Sequence, residues 1–134
     1  MINCYGSYME RKVFWKKVTD SGILLQPNLH LGGDFNFTLS TSEIWGFAHA
    51  DPLVAYLSSL FSDAGLEDVS PVRLEPTWRN GRADSHGIAK WLDRFFIYDH
   101  LSEAIGNYRS WIVNLTTSDH MPICIQFSCG AVRR

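Results

Sequence analysis

Three short polar groups interrupt stretches that are otherwise apolar. Asp34 and Asn36 come directly after an apolar run and two glycines, Asp93 lies inside Trp91-Leu92-Asp93-Arg94-Phe95-Phe96, and Asp119 and His120 precede the last apolar run. An ionised carboxylate within a strand core is costly unless it is paired or bound to a metal. Each group falls at a strand or a strand end, where a rigid sheet commonly projects catalytic side chains, so their convergence on one site is expected. Taken singly, each has a simpler reading. Gly33-Asp34-Phe35-Asn36 fits a turn closed by an Asx hydrogen bond. Asp93 beside Arg94 fits a surface ion pair, and His120 fits an ordinary loop histidine. The ordered combination is what points to chemistry.

The elements that must position these residues are legible in outline. Ile2 to Tyr5 reads as a short strand, and a helix is expected from Met9 to about Asp20, with Met9, Val13, Phe14 and Val18 on its apolar face. Asn28 to Leu31 reads as a buried strand that stops at Gly32-Gly33. Asp51 is a candidate N-cap with Pro52 at the first helical position. Leu53, Val54, Leu57, Leu60, Phe61 and Ala64 then follow a helical period, and Gly65 supplies the stop. Strand-like pieces follow at Thr77-Trp78, Trp91 to Tyr98, Trp111 to Leu115, and Pro122 to Phe127. Helices and strands alternate early and strands dominate later, which implies a mixed α/β layer structure.

The chain has 134 residues, one domain by size. Apolar residues at 46% with 5 Trp, 5 Tyr and 8 Phe exclude a disordered chain. Apolar runs are too short for a spanning helix, and no secretory leader pattern opens the sequence, so an intracellular location without a membrane is expected, nucleus or cytoplasm left open. A net charge of -2 lacks the strongly basic footprint of a dedicated nucleic-acid binder. Arg11, Lys12, Lys16 and Lys17 form one local basic cluster, and Arg73, Arg79, Arg82, Lys90 and Arg94 another. Cys4, Cys124 and Cys129 form no Cys-x-x-Cys pair, which argues against a disulfide framework or a structural zinc site.

Leu31-Gly32-Gly33-Asp34-Phe35-Asn36, Leu92-Asp93-Arg94-Phe95-Phe96 and Ser118-Asp119-His120-Met121-Pro122-Ile123 resemble the GDxN, (I/L)DRF and SDHxPI motifs of the endonuclease/exonuclease/phosphatase superfamily. Cys4-Tyr5-Gly6-Ser7, a helix carrying Arg11 and Trp15, and Pro76-Thr77-Trp78 look like the endonuclease domain of LINE-type (non-LTR) retrotransposons, particularly those of plants. The likeness runs from about Ile2 to Phe127.

The resemblance implies a DNase I-like fold, part of a four-layer α/β sandwich with a mixed, mostly antiparallel sheet and flanking helices. It implies metal-dependent hydrolysis of phosphodiesters in nucleic acid, DNA before RNA. Asp34 then orients or deprotonates the attacking water, and Asn36 fixes Asp34 and contacts phosphate. His120 donates to the phosphoryl oxygens, and Asp93 holds its imidazole. Asp119 is the carboxylate near the metal, Mg²⁺ or Mn²⁺, with Asp34 and Asn36 at hand. Tyr5 reaches the scissile phosphate, and Arg94 is a further candidate substrate contact. Cys-Tyr-Gly-Ser replaces the commoner Tyr-x-Pro-Asn at the first motif.

The same resemblance implies that residues 1–134 form a single partial domain, the C-terminal half of the sandwich. The N-terminal half, with its principal glutamate ligand, has no counterpart. Glu10 and Glu43 do not replace that ligand, the first opening a helix and the second lying in a loop. Weak metal binding, impaired cleavage and self-association through an exposed sheet are therefore expected. Two other functions remain open: a non-catalytic retrotransposon remnant or binding module, and a phosphoinositide or sphingolipid phosphoesterase.

Overall fold

The computed structural model describes residues 1–47, 49–100 and 106–129. Its centre is a sheet in the order β1-β2-β7-β4, formed by β1 (Ile2–Tyr5), β2 (His30–Asp34), β7 (Asp93–Tyr98) and β4 (Leu66–Asp68). β1 and β2 run parallel, with Ile2 opposite Leu31 and Tyr5 opposite Asp34. β7 is antiparallel to β2 and β4, and its register sets Asp34 directly opposite Asp93.

Because strand side chains alternate between faces, this register sorts the sheet into two environments. One face carries Leu31, Leu66 and Phe96 and receives the helices α1 (Arg11–Asp20) and α2 (Val54–Asp63) through Trp15, Leu57 and Phe61. Aromatic packing closes this layer: Phe61 stacks on Phe96 at 4.0 Å between ring centroids, and Trp15 lies parallel to Phe35 at 5.8 Å. The other face carries Phe95 and Ile97. There, with Val69, they meet the hairpin of β8 (Gly106–Ile112) and β9 (Ile123–Cys129) through Tyr108, Ile123, Ile125 and Phe127. A small sheet, β3 (Ile44–Trp45), β6 (Ala89–Lys90) and β5 (Trp78–Arg79), in the order β3-β6-β5, completes the fold. Among the described strands, only β1 and β2 pair in parallel. No helix among the described residues is long and apolar enough to cross a membrane.

Several expectations need correction. α1 starts at Arg11, after Glu10 takes a left-handed φ of 50°, and Met9 and Val13 are exposed. The buried stripe is centred instead on Trp15, flanked by Phe14 and Val18, because the largest ring has the most surface to remove from water. β2 does not stop at its glycines but runs through them to Asp34. A Cβ on Gly32 would lie 2.7 Å from the Phe95 ring, and one on Gly33 (φ 138°) would run into the Cys4 carbonyl. These glycines admit neighbours rather than ending the strand. Asp51 is not the N-cap and Pro52 is not in the helix: α2 starts at Val54 with Leu53 at the N-cap, and Asp51 Oδ1 instead accepts the Leu53 N–H at 2.9 Å in the preceding turn.

Candidate active site

The strand ends bring Asp34, Asp93 and His120 together. One ligand-type atom from each lies within 4.8 Å of the others. His120 Nδ1 is 2.9 Å from Asp93 Oδ2, and its Nε2 is 3.7 Å from Asp34 Oδ2. The two aspartates are register partners on one sheet face, so their separation is fixed by the β2–β7 ladder. Tyr5 is the β1 register partner of Asp34, and the residue is 77% exposed.

His120 arrives from a loop, which therefore needs an anchor. Its neighbours supply it: Arg79 N–H donates to the Asp119 carbonyl (3.1 Å), Met121 N–H donates to the Thr77 carbonyl (2.7 Å), and His120 bridges to Trp78. Thr77 is fully buried, and its Oγ1 accepts the N–H groups of both Leu92 and Asp93 at 3.0 Å. One residue thus holds the backbone of Asp93 through its hydroxyl and the His120 loop through its carbonyl. The motif Thr77-Trp78 was visible in the sequence, but this positioning was not. A threonine immediately before a tryptophan, ahead of a carboxylate-bearing strand, is the signal that was available.

Asn36 sits at a φ of 54°, a left-handed conformation that asparagine adopts more readily than most residues. Its N–H donates to Asp34 Oδ1 (2.9 Å), which is the expected Asx turn, and its Nδ2 donates to the Gly6 carbonyl (2.6 Å). The turn and the site are therefore one object. Gly6, from the departing Cys-Tyr-Gly-Ser segment, orients the Asn36 amide and donates its own N–H to the Asp34 carbonyl (2.6 Å).

Charge crowds the cluster. Burial raises the Asp34 carboxyl above its ordinary pKa. The Asn36 N–H pulls it back, and the Asp93 and Asp119 charges push it further up. Burial alone would lower the His120 imidazole, but the hydrogen bond and charge of Asp93, joined by Asp34 and Asp119, outweigh it and raise the pKa. Such a histidine is protonated more readily than usual and can donate, while a raised Asp34 is the better base near neutral pH. Asp119 lies outside the tight three-residue cluster. It is exposed, with Ser118 Oγ 3.5 Å from its Oδ1, and acts on Asp34 and His120 through its charge.

These residues suit a hard divalent cation. The Asp34 and Asp93 carboxylates, within 4.8 Å of each other and of His120, offer oxygen donors to a divalent cation. Three carboxylates, Asp34, Asp93 and Asp119, face a single imidazole, leaving a negative surplus that a cation would offset. Both imidazole nitrogens already face carboxylates, so His120 is a donor here and not the natural ligand.

Arg94 requires a correction. Alternation turns it to the face opposite Asp93, where its guanidinium is fully buried. It donates to Glu43 Oε2 (2.6 Å), Asp68 Oδ2 (2.8 Å) and the Trp91 carbonyl (3.0 Å), and lies 4.3 Å from the Trp91 ring. It cannot meet a substrate in this arrangement, and it is not a surface partner of Asp93. Glu43, read as a loop residue, occupies a 3₁₀ turn and is committed to Arg94.

A helix-covered sheet whose strand ends gather Asp34, Asp93 and His120 into one cluster is the arrangement the motif resemblance leads one to expect. Comparison with solved structures agrees. No family model matches the sequence, and no curated protein matches it significantly. The endonuclease domain of TRAS1, a telomere-specific non-LTR retrotransposon, is similar at 19% identity and TM-score 0.64, over 98% of this chain and 56% of that one. A 3′ phosphatase, NExo from Neisseria bound to a product DNA hairpin, is similar at 17% identity and TM-score 0.70, over 94% and 60%. The 3′-5′ exonuclease NExo from Neisseria meningitidis is similar at 18% identity and TM-score 0.67, over 93% and 59%. The chain has a DNase I-like fold, and it spans a little over half the length of these proteins.

Proposed function

We propose that this chain hydrolyses phosphodiester bonds in nucleic acid, DNA in preference to RNA, with a divalent metal. The observation that carries the reading is His120 set between Asp93 at 2.9 Å and Asp34 at 3.7 Å. Asp34 takes a proton from the attacking water as the new P–O bond forms. Asn36, aimed by Gly6, holds Asp34 and contacts the phosphate. Protonated His120 donates to the phosphoryl oxygens as negative charge builds, and Asp93 fixes its tautomer and ring plane. The old P–O bond breaks, and the leaving oxygen takes a proton from solvent. Tyr5 contributes its hydroxyl from the rim. A magnesium or manganese ion held by Asp34, Asn36 and Asp119 would stabilise charge on the phosphoryl and leaving oxygens.

Metal retention in this reading is weak. Glu43 is locked to Arg94, so the oxygen donors at the cluster leave a magnesium ion held largely by water. The chain alone therefore cuts slowly, and its rate keeps rising at metal concentrations that saturate ordinary nucleases. Two half-buried free thiols, Cys4 and Cys124, suit a reducing, intracellular setting. β1 is an edge strand with Tyr5 exposed, and association of two copies through that edge belongs to the same proposal.

The test is magnesium-dependent nicking of supercoiled plasmid by the parent chain, His120→Ala and Asp34→Ala. Slow nicking by the parent, lost in both variants, supports the reading. If no metal concentration elicits cleavage and both substitutions change only stability, the chain is a binding remnant. Turnover of a phosphoinositide or sphingolipid without DNA cleavage would also overturn it.

A further inference from the structure

Asn36 is held in its left-handed conformation from the outside as well as the inside. Its N–H and side-chain amide are tied to Asp34 and Gly6 within the site. Its carbonyl accepts a third bond, 3.1 Å from Arg11 Nη1, and Arg11 comes from the first turn of α1. Arg11 is itself fixed by a two-point bridge to Asp51, with Nη1 at 2.5 Å and Nη2 at 2.9 Å from the carboxylate oxygens. Asp51 also accepts the Leu53 N–H at the entry to α2, and the Thr38 N–H. The side chains of the pair are 19% and 9% exposed, so water competes little for these bonds.

We infer that Arg11, anchored by Asp51, is a positioning residue that keeps Asn36 at positive φ and thereby sets the aim of Asp34 and of the Asn36 amide. The inference rests on the hydrolytic reading above and adds a residue to it. A fork-shaped guanidinium suits the task, because two nitrogens satisfy a carboxylate while one also reaches a carbonyl. A lysine keeps the charge but loses the second point of attachment. An Asn36 released to ordinary negative φ swings its N–H from Asp34 Oδ1 and its Nδ2 from the Gly6 carbonyl. Either movement misaligns the base and the phosphate contact without removing a group that touches substrate. An ordinary helix-to-helix ion pair would end at Asp51 and leave the Asn36 carbonyl alone.

The experiment measures cleavage and Asn36 geometry side by side in the parent chain, Arg11→Gln, Arg11→Lys and Asp51→Asn. Cleavage of an oligonucleotide duplex is expected to lose about 10–100-fold in kcat in each variant, with KM changed less than about 3-fold. The three-bond amide coupling of Asn36 and its side-chain NH₂ resonances should move in all three. In an Asn36→Ala background, Arg11→Gln should cost less than about 3-fold more, because the pathway it acts through is gone. Additive losses in that background, or unchanged kcat and Asn36 resonances in a folded Arg11→Lys, would overturn the inference. If Arg11→Gln fails to fold, the lysine and Asp51→Asn variants decide. If the parent chain shows no cleavage at all, the hydrolytic reading fails, and the Asn36 resonances alone still decide whether Arg11 holds it.

Discussion

Adjacent residues of β7, Asp93 and Arg94, anchor two charge clusters on opposite faces of one sheet. On one face, Asp93 and Asp34 flank His120. On the other, Glu43 and Asp68 flank Arg94. Each joins two carboxylates to one cation, yet their surroundings differ. The Arg94 guanidinium is fully buried, makes hydrogen bonds to two carboxylates and two carbonyls, and lies over the Trp91 and Phe37 rings. His120 is 32% exposed, and a third carboxylate, Asp119, adds its charge. A cation that cannot lose its proton, enclosed and paired at both terminal nitrogens, holds segments together. A titratable one, half open and outnumbered by carboxylates, is arranged to hold or release a proton beside a ligand. Similar ingredients give glue on one face and a site on the other.

The largest expected effects separate the two clusters outright. His120→Ala should lower cleavage by on the order of 10³-fold or more, since it removes the donor to the charge that builds on phosphate. The melting temperature should fall only modestly, because Asp34 and Asp93 lose their partner beside an open cleft where water can take its place. Arg94→Met reverses the pattern. It leaves Glu43 and Asp68 without their counter-charge, and breaking such a buried cluster costs about 3–5 kcal/mol. Urea unfolding, read beside plasmid nicking, checks both. Comparable loss of stability in the two variants would erase the distinction drawn between the faces.

Thr77→Val tests what joins the clusters to their strand. The valine is close in shape but withdraws the acceptor for two N–H groups, those of Leu92 and Asp93. Leaving such buried donors unpaired costs about 1–3 kcal/mol. Cleavage should fall about 10-fold beyond that, since Asp93 shifts under His120. Thr77→Ser keeps the oxygen and should restore most of both. If the serine variant behaves like valine, packing of the methyl, and not the hydroxyl, is what matters at this position.

The contrast also explains which residues could be read in the sequence. Asp34 and Asp93 stand out as polar residues among apolar or aromatic neighbours and His120 as a histidine just before the last apolar run, and the β2–β7 register places the two aspartates opposite each other. Arg94 was misplaced because Asp93-Arg94 looks like an ion pair in one dimension, whereas consecutive strand residues point apart. The unbroken apolar run from Phe95 to Ile97 already implied burial on both faces, which would have sent Arg94 inward. Its true partners, Glu43 and Asp68, are 51 and 26 positions away and leave no local pattern. β3, β5 and β6 have two residues each, too few for any periodic signal. Thr77 was noticed only as part of a motif, because a hydroxyl bonded to backbone has no sequence partner to betray it.

The smallest expected effect concerns pH and the enclosed cluster. Burial raises the Asp68 carboxyl to about 6, although Arg94 draws it down, and Glu43 competes for the same guanidinium and pushes it back up. One of its oxygens, Oδ1, has no protein partner, which is why burial prevails over the bridge at 2.8 Å. In the unfolded chain an aspartate titrates near 3.9, so the folded protein binds this proton more tightly. The contribution to stability is complete below the unfolded value and is lost as pH rises from about 4 through about 6. Because Asp68 remains partly exposed, the change is on the order of 1–2 kcal/mol rather than the full linkage value. Asp68→Asn should flatten that slope, so that variant and parent differ more at pH 7.5 than at pH 4.5 in urea titrations, the variant gaining relative to the parent on the alkaline side. A gap that is the same at both pH values would mean that Asp68 stays ionised throughout, held by Arg94. The two faces would then differ in exposure but not in how firmly their carboxylates are charged.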